Sequence, residues 1–492
     1  MMRTGKRRML FRVAALALPM LAWIMAEGLL GRMLPAIKGS AHDPWLGFSD
    51  HLDLFTLDEE SHRYQIDEAH HYAFEPTGFL AKKSANTSRI FCLGGSTVQG
   101  RPYSIETAFP AWLQHSLETI HPSSQFEILN LGGISYASYR LLPILKEVLQ
   151  YQPDLIILCT GHNEFLEDRS YKQLKHAAPV MGEWLQWARQ SHVIEATLQL
   201  GSLLARKPTD PTPILGHRVR AILDYERGAE KYHRNTPWMR SVEQHFSGNV
   251  ERMIQLCQEA DIPLILLNPC FNLKDSPPFK SEHREDWNSE VEEDWKRALQ
   301  VAREQLDGAP EESIKNLRRA LSLDPNYADT WYALGQCLLQ QAQWQEAKRC
   351  FQRALEEDVC PLRIRASMRH QITDLARRYE IPLLDLQSLA EKEAPVGLVG
   401  DTFLVDHVHP SIHGHQTIAL ALVGRVQEIL TNLEQRSISD EQTRLLFAGK
   451  LAELPDHYFA NGLQRLENLR AWTHGKADGP PIESHPQWES GL

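Results

Sequence analysis

Five short runs of the chain are apolar at nearly every position instead of alternating between apolar and polar residues. Continuous apolar runs of this length are typical of β-strands that are buried on both faces. Segments with helical apolar spacing separate the runs, and strand–helix alternation predicts a parallel sheet covered by helices on both sides, an α/β sandwich. The five predicted strands are RIFCLG (89–94), FEILNLG (126–132), DLIILCTG (154–161), IPLILLNP (262–269) and IPLLDL (381–386).

The size and charge of the chain narrow its class. A chain of 492 residues is longer than a single hydrophobic core ordinarily accommodates, so two or more domains are expected. A hydrophobic content of 42% excludes a chain that is disordered throughout. A net charge of −11 argues against a nucleic-acid partner, because no basic excess is present to neutralise phosphates. Seven cysteines are scattered without a Cys-x-x-Cys pair, so we expect neither a disulfide framework nor a zinc site.

The N-terminus departs from the pattern of a soluble protein. A basic tail at 1–8 precedes a mostly apolar run at 9–31, which reaches about the 20 residues that a bilayer requires. No clear Ala-x-Ala site follows, so we interpret the run as an uncleaved transmembrane signal anchor rather than a cleaved signal peptide. The basic tail would stay in the cytoplasm, which predicts a single-pass membrane protein in which everything after about residue 32 lies on the periplasmic, extracytoplasmic side.

Two insertions interrupt the predicted core. Residues 166–245 are helix-rich, and their apolar face is expected to pack on the core, with a lid role for 180–204 as the alternative. Residues 291–358 hold an internal repeat, in which Ala320 and Ala354 stand 34 positions apart. This segment resembles the tetratricopeptide repeat (TPR), whose helical hairpins could contact a protein partner. Since so short an array is a poor free solenoid, we expect it to dock on the α/β core.

Small and polar residues follow the predicted strands at their carboxyl ends, where ligands bind in parallel sheets. Ser96 follows the first strand in Gly-Gly-Ser, and Asn163 follows the third in Gly-His-Asn-Glu. After the last strand, Asp406 and His409 are spaced so that the carboxylate can accept a hydrogen bond from the imidazole Nδ1 and leave Nε2 as a base. The second loop offers candidate backbone donors at Gly132, Gly133 and Ser135.

This ordered set resembles the four sequence blocks of the SGNH/GDSL hydrolases over about residues 87–165, 246–275 and 362–428. The resemblance implies a flavodoxin-like three-layer fold and serine-dependent ester hydrolysis without a cofactor or metal. It assigns Ser96 as nucleophile, His409 as base and Asp406 as the residue that orients it. The implied oxyanion donors are Asn163 and the Ser96 N–H. The chain departs from the family in the second block, where the usual donor glycine falls on Ser135 and two glycines come earlier.

The substrate is left open by these motifs. An external, membrane-tethered enzyme of this family would remove acetyl groups from a cell-envelope polysaccharide or a small acylated molecule. Transfer of the acyl group to a glycan hydroxyl is an alternative, and lipid or thioester substrates are others. A non-catalytic scaffold built on the TPR segment is a different class.

Metal binding is a further alternative, because histidines cluster next to Asp406. In the competing interpretation, His407 and His413 are exposed and His415 helps to order the final helix. The four histidines are His407, His409, His413 and His415.

The segments together predict the division of the chain. Its parts are a basic tail (1–8), a membrane anchor (9–31), a linker or N-terminal extension (32–86), the first part of the hydrolase core (87–290), the TPR segment (291–358), the second part of the core (359–430) and a helical C-terminal extension with a tail (431–492).

Overall fold

The computed structural model describes residues 47–48, 53–167, 169, 214–224, 228–284, 286–305, 308–430 and 433–473. The chain divides into two compact units. The first comprises Met1–Ser49 and Arg169–Leu215, and its described strands Gly47–Phe48 and Ile214–Leu215 pair in parallel. All elements below belong to the second unit, Asp50–Asp168 with Gly216–Leu492.

A five-stranded parallel sheet forms the centre of the second unit, as the apolar runs predict. Its strands are β4 (Thr87–Gly94), β5 (Gln125–Gly132), β6 (Leu155–Cys159), β7 (Leu264–Asn268) and β8 (Leu383–Asp385). Their order in the sheet is β8–β7–β6–β4–β5, and every neighbouring pair is parallel. Gly94 at the end of β4 lies opposite Gly132 of β5 and Cys159 of β6, so these strands end level with one another.

Helices cover both faces of this sheet because alternate strand residues point to opposite sides. The helices of the sandwich are α1 (Ser96–Gln99), α2 (Phe109–Ile120), α3 (Ser138–Val148), α4 (Thr236–Glu259), α9 (Ala366–Arg378), α10 (Leu386–Glu393) and α11 (Ile412–Ile429). Ile90 and Cys92 pack in one apolar cluster with Trp112 of α2 and Leu422 of α11. On the other face, α3 contacts β4, α9 contacts β7, and α4 packs against both of these helices.

The segment predicted as a linker at 32–86 contains a small antiparallel sheet of β1 (Phe55–Asp58), β2 (Arg63–Ile66) and β3 (Gly78–Leu80). Phe79 makes ring contacts with Phe91 of the central sheet. The backbone N–H groups of Leu54 and Phe55 donate to the Glu147 carboxylate at 2.7 and 2.9 Å. The three strands are short and mix polar with apolar residues, so they lack the apolar runs that predicted the central sheet.

Two helical hairpins occupy the predicted TPR segment. Helix α5 (Ser289–Glu304) pairs with α6 (Pro310–Leu323), and α7 (Ala328–Gln340) pairs with α8 (Trp344–Glu357). A Cβ atom on Gly335 of α7 would lie 2.6 Å from the Phe351 ring of α8, so only a glycine allows the two helices to approach this closely.

The hairpins dock on the α/β core, as their small number predicts. The Tyr332 hydroxyl and the Gln336 amide of α7 each donate to the Lys274 carbonyl at 2.7 Å. Directly after the last hairpin helix, α8, the buried Asp358 carboxylate accepts hydrogen bonds from the backbone N–H groups of Phe279 and Lys280. The burial of Asp358 raises its pKa to about 6.

The C-terminal extension contains the helices α12 (Asp440–Ala452) and α13 (Asp456–Thr473). Among the residues that the structure describes, no helix combines the length and apolarity that a membrane crossing requires. The predicted anchor at 9–31, the candidate lid at 180–204 and the tail beyond 473 lie outside the described residues.

Replacement of Gly335 by alanine should destabilise the TPR hairpin, because the added methyl group overlaps the buried Phe351 ring. We expect the free energy of unfolding to fall by about 1–3 kcal/mol. The same change at Gly449 of α12, where no atom lies within 4 Å of the new Cβ, should instead raise it by about 0.5–1 kcal/mol. Urea denaturation followed by circular dichroism measures the stability of both variants. Equal shifts of the denaturation midpoint in Gly335→Ala and Gly449→Ala would contradict the packing argument.

Candidate active site

Ser96 lies at the carboxyl edge of the sheet, two residues beyond the end of β4. It is the first residue of the short helix α1, so its backbone N–H has no intrahelical acceptor. Gly95 precedes it, and a Cβ atom there would lie 2.5 Å from the Asn163 amide nitrogen. The glycines of the Gly-Gly-Ser motif therefore let the chain turn tightly beneath neighbouring backbone and side chains.

The side chains of Ser96, His409 and Asp406 form one hydrogen-bonded line. The Ser96 Oγ lies 2.7 Å from the His409 Nε2, although the two residues are 313 positions apart in the chain. The His409 Nδ1 lies 2.7 Å from the Asp406 Oδ2. His409 is thus held by the carboxylate on one side, and its other nitrogen faces the serine hydroxyl. This arrangement allows proton transfer from the hydroxyl to the ring.

Asp406 is buried as an anion. Its second oxygen, Oδ1, accepts from the backbone N–H groups of Val408 and His409, both at 2.8 Å. Burial by itself raises the pKa of the carboxyl, but the neighbouring His409 and His407 rings and these hydrogen bonds outweigh burial and hold the pKa well below its usual value. The turn that carries His409 is therefore fixed by the same carboxylate that orients its ring.

Asn272, which the sequence motifs did not identify, holds this turn from outside. Its Nδ2 donates to the Asp406 carbonyl at 3.1 Å, and its backbone N–H donates to the His407 carbonyl at 2.9 Å. Arg363 donates in turn to the Asn272 carbonyl at 3.0 Å. Asn272 follows β7 at the carboxyl edge of the sheet, and that position is the signal that could have identified it.

The three candidate donors of the second loop differ in their hydrogen bonds. The N–H of Gly132 donates to the Asn130 side chain at 3.0 Å, and that of Gly133 donates to the Gly94 carbonyl at 2.9 Å. Ser135 has a φ of 61°, in the left-handed region that favours glycine, and it lines the cavity at Ser96. The loop thus directs Ser135 toward the cavity and uses Gly132 and Gly133 for its own geometry.

Asn163 and Glu164 have separate environments despite being adjacent. The Asn163 Nδ2 donates to the Tyr136 carbonyl at 3.0 Å and carries a second hydrogen, and the residue lines the cavity with Ser96. Glu164 is fully buried and accepts from the backbone N–H and the hydroxyl of Ser138, where α3 begins. Glu164 therefore stabilises a helix end outside the cavity.

The histidines near Asp406 point in different directions. His407 is buried, not exposed as one interpretation of the sequence expected, because its ring packs edge-on against Phe279. His413 is exposed and pairs with Glu393 at 2.9 Å. The His415 Nδ1 accepts from the Phe109 N–H at 3.2 Å, which joins α11 to α2. Over the described parts of the chain, no three His, Cys, Asp or Glu side chains are grouped so that they could hold a metal ion.

A cavity of about 220 Å³ opens at Ser96 and His409. Helix α13 contributes Leu469 and Trp472 to its lining, so the C-terminal extension forms one of its walls. The same helix is fixed to the core by the Tyr458 hydroxyl, which lies 2.8 Å from the Thr107 hydroxyl. The further lining residues include Tyr72, Ala73, Arg101, Pro102, Ile134, Ser135, Asn163, Leu166, Arg218, Val219, Asp224, Leu362, His407, Val408 and Arg465.

The repeat segment has the clearest likeness to known proteins. Residues 294–361 match the sequence profile of the tetratricopeptide repeat. No match was found among curated proteins.

Solved structures give looser matches. The acetylxylan esterase Axe2 from Geobacillus stearothermophilus is 12% identical, with 72% of this chain and 100% of that chain covered and a TM-score of 0.33. A protein from Desulfitobacterium hafniense, assigned as lipolytic and of the G-D-S-L family, is 12% identical, with coverages of 70% and 99% and a TM-score of 0.29. The acetyl xylan esterase AlAXEase is 13% identical, with coverages of 67% and 96% and a TM-score of 0.30. Overlaps this loose carry no argument about the activity of this chain.

Three buried histidines make the stability of the fold sensitive to acid. Burial lowers the pKa of His162, His407 and His415 from 6.5 to about 3. The unfolded chain therefore binds protons near pH 6.5 that the folded protein refuses, so the stability that these rings contribute is complete above pH 6.5 and is lost as the pH falls toward 3. Each ring should contribute a slope of about 1.4 kcal/mol per pH unit in that window.

Urea denaturation between about pH 7.5 and about pH 5 measures this slope. The variant His415→Gln keeps an acceptor for the Phe109 N–H but no longer titrates, so it should flatten the dependence by about one proton. His457→Gln, at an exposed position of α13, is the matched control. Identical slopes in both variants would refute the assignment.

Proposed function

We propose that this protein is a serine-dependent ester hydrolase that removes short acyl groups. The observation that carries the proposal is the line of two 2.7 Å contacts from the Ser96 hydroxyl through the His409 ring to the Asp406 carboxylate. A hydroxyl is a weak nucleophile until an adjacent base accepts its proton, and this arrangement provides that base with an orienting anion behind it.

The reaction begins with attack of the Ser96 Oγ on the ester carbonyl carbon while the His409 Nε2 accepts the hydroxyl proton. Asp406 stabilises the imidazolium that forms, because it accepts the Nδ1 proton in a hydrogen bond and remains charged. His409 then protonates the leaving alcohol, and an acyl-serine is left. Water, deprotonated by His409, attacks the acyl-serine carbonyl. His409 then returns that proton to the Ser96 Oγ as the bond to the acyl group breaks, and the acid and the free enzyme are released.

The negative oxygen of the tetrahedral intermediate needs donors on the cavity side of Ser96. We assign this role to the Ser96 N–H at the start of α1, the free hydrogen of the Asn163 amide and the Ser135 N–H. Ser135 is preferred over Gly132 and Gly133 because their N–H groups already donate to Asn130 and Gly94. The φ of Ser135 is in the left-handed region that glycine adopts without strain, and glycine is the usual donor residue in the SGNH/GDSL hydrolases that the sequence resembles.

The acyl group is proposed to be short, and acetyl is the first candidate. A cavity of about 220 Å³ is smaller than the roughly 300–1,000 Å³ of sites that enclose drug-sized ligands. The acetylated molecule is proposed to be a cell-envelope polysaccharide or a fragment of one, with the TPR hairpins free to contact a protein partner. A scaffold function alone would leave the aligned serine, histidine and aspartate without a purpose.

Acyl transfer to a glycan hydroxyl is a second candidate, favoured by the apolar wall that Leu469 and Trp472 of α13 place at the cavity. Both reactions share the acyl-enzyme, and they differ only in whether water or a hydroxyl attacks it. The ratio of acetyl transferred to a glycan to acetate released, measured with a radiolabelled donor, distinguishes them. Release of all label as acetate in the presence of glycan excludes transfer.

The location of the protein is proposed to be the outer face of a membrane, with residues 9–31 as the anchor. The support is the apolar run with four cations before it, Arg3, Lys6, Arg7 and Arg8. Cell fractionation should find the full chain in the membrane fraction after a carbonate wash and degraded by protease added outside the membrane. A chain that stays protected, or that is washed off, contradicts the topology.

The proposed function is tested by hydrolysis of p-nitrophenyl acetate and acetylated oligosaccharides. Ser96→Ala should reduce turnover to background without a change in the urea midpoint, because it removes the nucleophile and leaves the fold. Full activity in Ser96→Ala would end the proposal.

The oxyanion assignment has its own pair of variants. Asn163→Ala should lower kcat by about 10²–10³-fold, the usual loss for one such donor. Ser135→Gly keeps the backbone N–H and tolerates the left-handed φ, so its kcat should stay near that of the natural protein. An Asn163→Ala enzyme with unchanged kcat would remove Asn163 from the mechanism.

A further inference from the structure

The His407 ring forms part of the wall of the cavity at Ser96, although it takes no part in the proposed acyl transfer. Its side chain is only 7% exposed. The ring is held from two sides, because its centre lies 5.2 Å from that of the Phe279 ring and 5.9 Å from that of the His409 ring, edge-on in both cases. A buried polar group of this kind is normally matched by a hydrogen-bond partner.

The two nitrogens of the His407 ring have different surroundings. Nδ1 is enclosed by protein without a hydrogen-bond partner in the part of the chain that the structure describes. The nearby Asp406 Oδ1 is 3.6 Å away, too far for a hydrogen bond. Nε2 also has no partner among the described residues, but it is not enclosed in the same way. Nε2 is therefore the nitrogen through which the ring reaches the cavity.

The charge of Asp406 determines which nitrogen of His407 carries the proton. Burial lowers the pKa of His407 to about 3, so the ring is neutral and has a single N–H. The Asp406 carboxylate is an anion, so at 3.6 Å it attracts an N–H that points toward it and repels the lone pair of a bare nitrogen. The proton therefore lies on Nδ1. Nε2 is left with its lone pair toward the cavity, where it can accept a hydrogen bond.

The position of His407 decides which part of an ester it meets. In the proposed reaction His409 protonates the leaving alcohol, so the alcohol oxygen lies next to the His409 ring. The His407 ring is a neighbour of that ring in the cavity wall. The alcohol part of the ester, rather than the acyl group, therefore comes close to the His407 Nε2. A hydroxyl group on the carbon next to the acylated oxygen would supply the missing donor.

We propose that His407 is a substrate-binding residue whose Nε2 accepts a hydrogen bond from a free hydroxyl group next to the acylated oxygen. The substrate class is a partially acylated polyol, such as a sugar with an acyl group on one oxygen and a free hydroxyl on the adjacent carbon. This inference rests on the proposed function and deepens it, because it names the alcohol that the cavity selects. A buried acceptor discriminates against any substrate that leaves it unpaired.

The test compares two acetates that differ in one hydrogen-bond donor, trans-2-hydroxycyclohexyl acetate and trans-2-fluorocyclohexyl acetate. Fluorine is close to a hydroxyl group in size and in electron withdrawal, but it cannot donate a hydrogen bond. Each kcat/KM for acetate release is divided by the rate constant for hydrolysis of the same ester by hydroxide, which corrects for intrinsic reactivity. We expect this corrected value to be about 10–100-fold higher for the hydroxy ester. An equal or lower value for the hydroxy ester would overturn the proposal.

Variants then locate the preference at His407. His407→Phe keeps an aromatic ring beside Phe279 but has no acceptor, so the two esters should become nearly equal. His407→Gln restores an acceptor oxygen and should keep most of the preference. His413→Phe changes an exposed histidine of α11, which pairs with Glu393, and should keep the full preference. A full preference in His407→Phe would refute the role of His407, and the comparison in the natural protein requires no variant to fold.

Binding separates this inference from the proposed function. The Ser96→Ala full chain is titrated with the same two esters by ligand-observed NMR, and the hydroxy ester should bind about tenfold tighter. If the natural protein hydrolyses neither ester, tighter binding of the hydroxy ester still supports the His407 site while the hydrolase proposal fails. Equal hydrolysis and equal binding of the two esters leave the hydrolase proposal intact and end the inference.

Discussion

The level ending of parallel strands is the constraint on which the rest of this structure depends. Gly94, Gly132 and Cys159 lie side by side in the register of β4, β5 and β6, so the loops that follow these strands emerge at one edge. The segment between α10 and α11 returns to the same edge and carries the His409 Nε2 to 2.7 Å from the Ser96 Oγ. A slip of one residue in any of these strands would turn buried side chains to the wrong face and separate the hydroxyl from the ring.

A buried carboxylate is stable only when its hydrogen-bond capacity is satisfied, and Asp406 shows how far the consequences reach. Its side chain accepts from three groups of its own turn, and its carbonyl accepts from Asn272. The segment that carries Asn272 continues to Lys274, whose carbonyl accepts from Tyr332 of the TPR hairpin. The TPR hairpin therefore packs against the same segment that supports Asp406. The docking of the hairpin on the core thus has a structural role.

The sequence predicted secondary structure correctly where burial imposes a simple pattern of apolar or small residues. All five central strands were predicted, and each lies within two residues of its observed ends at 87–94, 125–132, 155–159, 264–268 and 383–385. The TPR segment was predicted because a 34-residue spacing of small residues reflects close helix packing. The antiparallel sheet at Phe55–Leu80 was missed because its strands are short and partly exposed. His407 was misjudged because its burial depends on Phe279, which comes from a distant loop.

By itself, the sequence determined the elements whose signals are local: buried strands, helical repeats, and small or polar residues at strand ends. It also determined which residue types could do serine chemistry, since a hydroxyl, an imidazole and a carboxylate stand after those strands. Only the tertiary structure decided which of them meet, because contact between residues 313 positions apart depends on strand order and register. The same holds for Asn272, whose contacts with Asp406, His407 and Arg363 join residues that are remote in the chain.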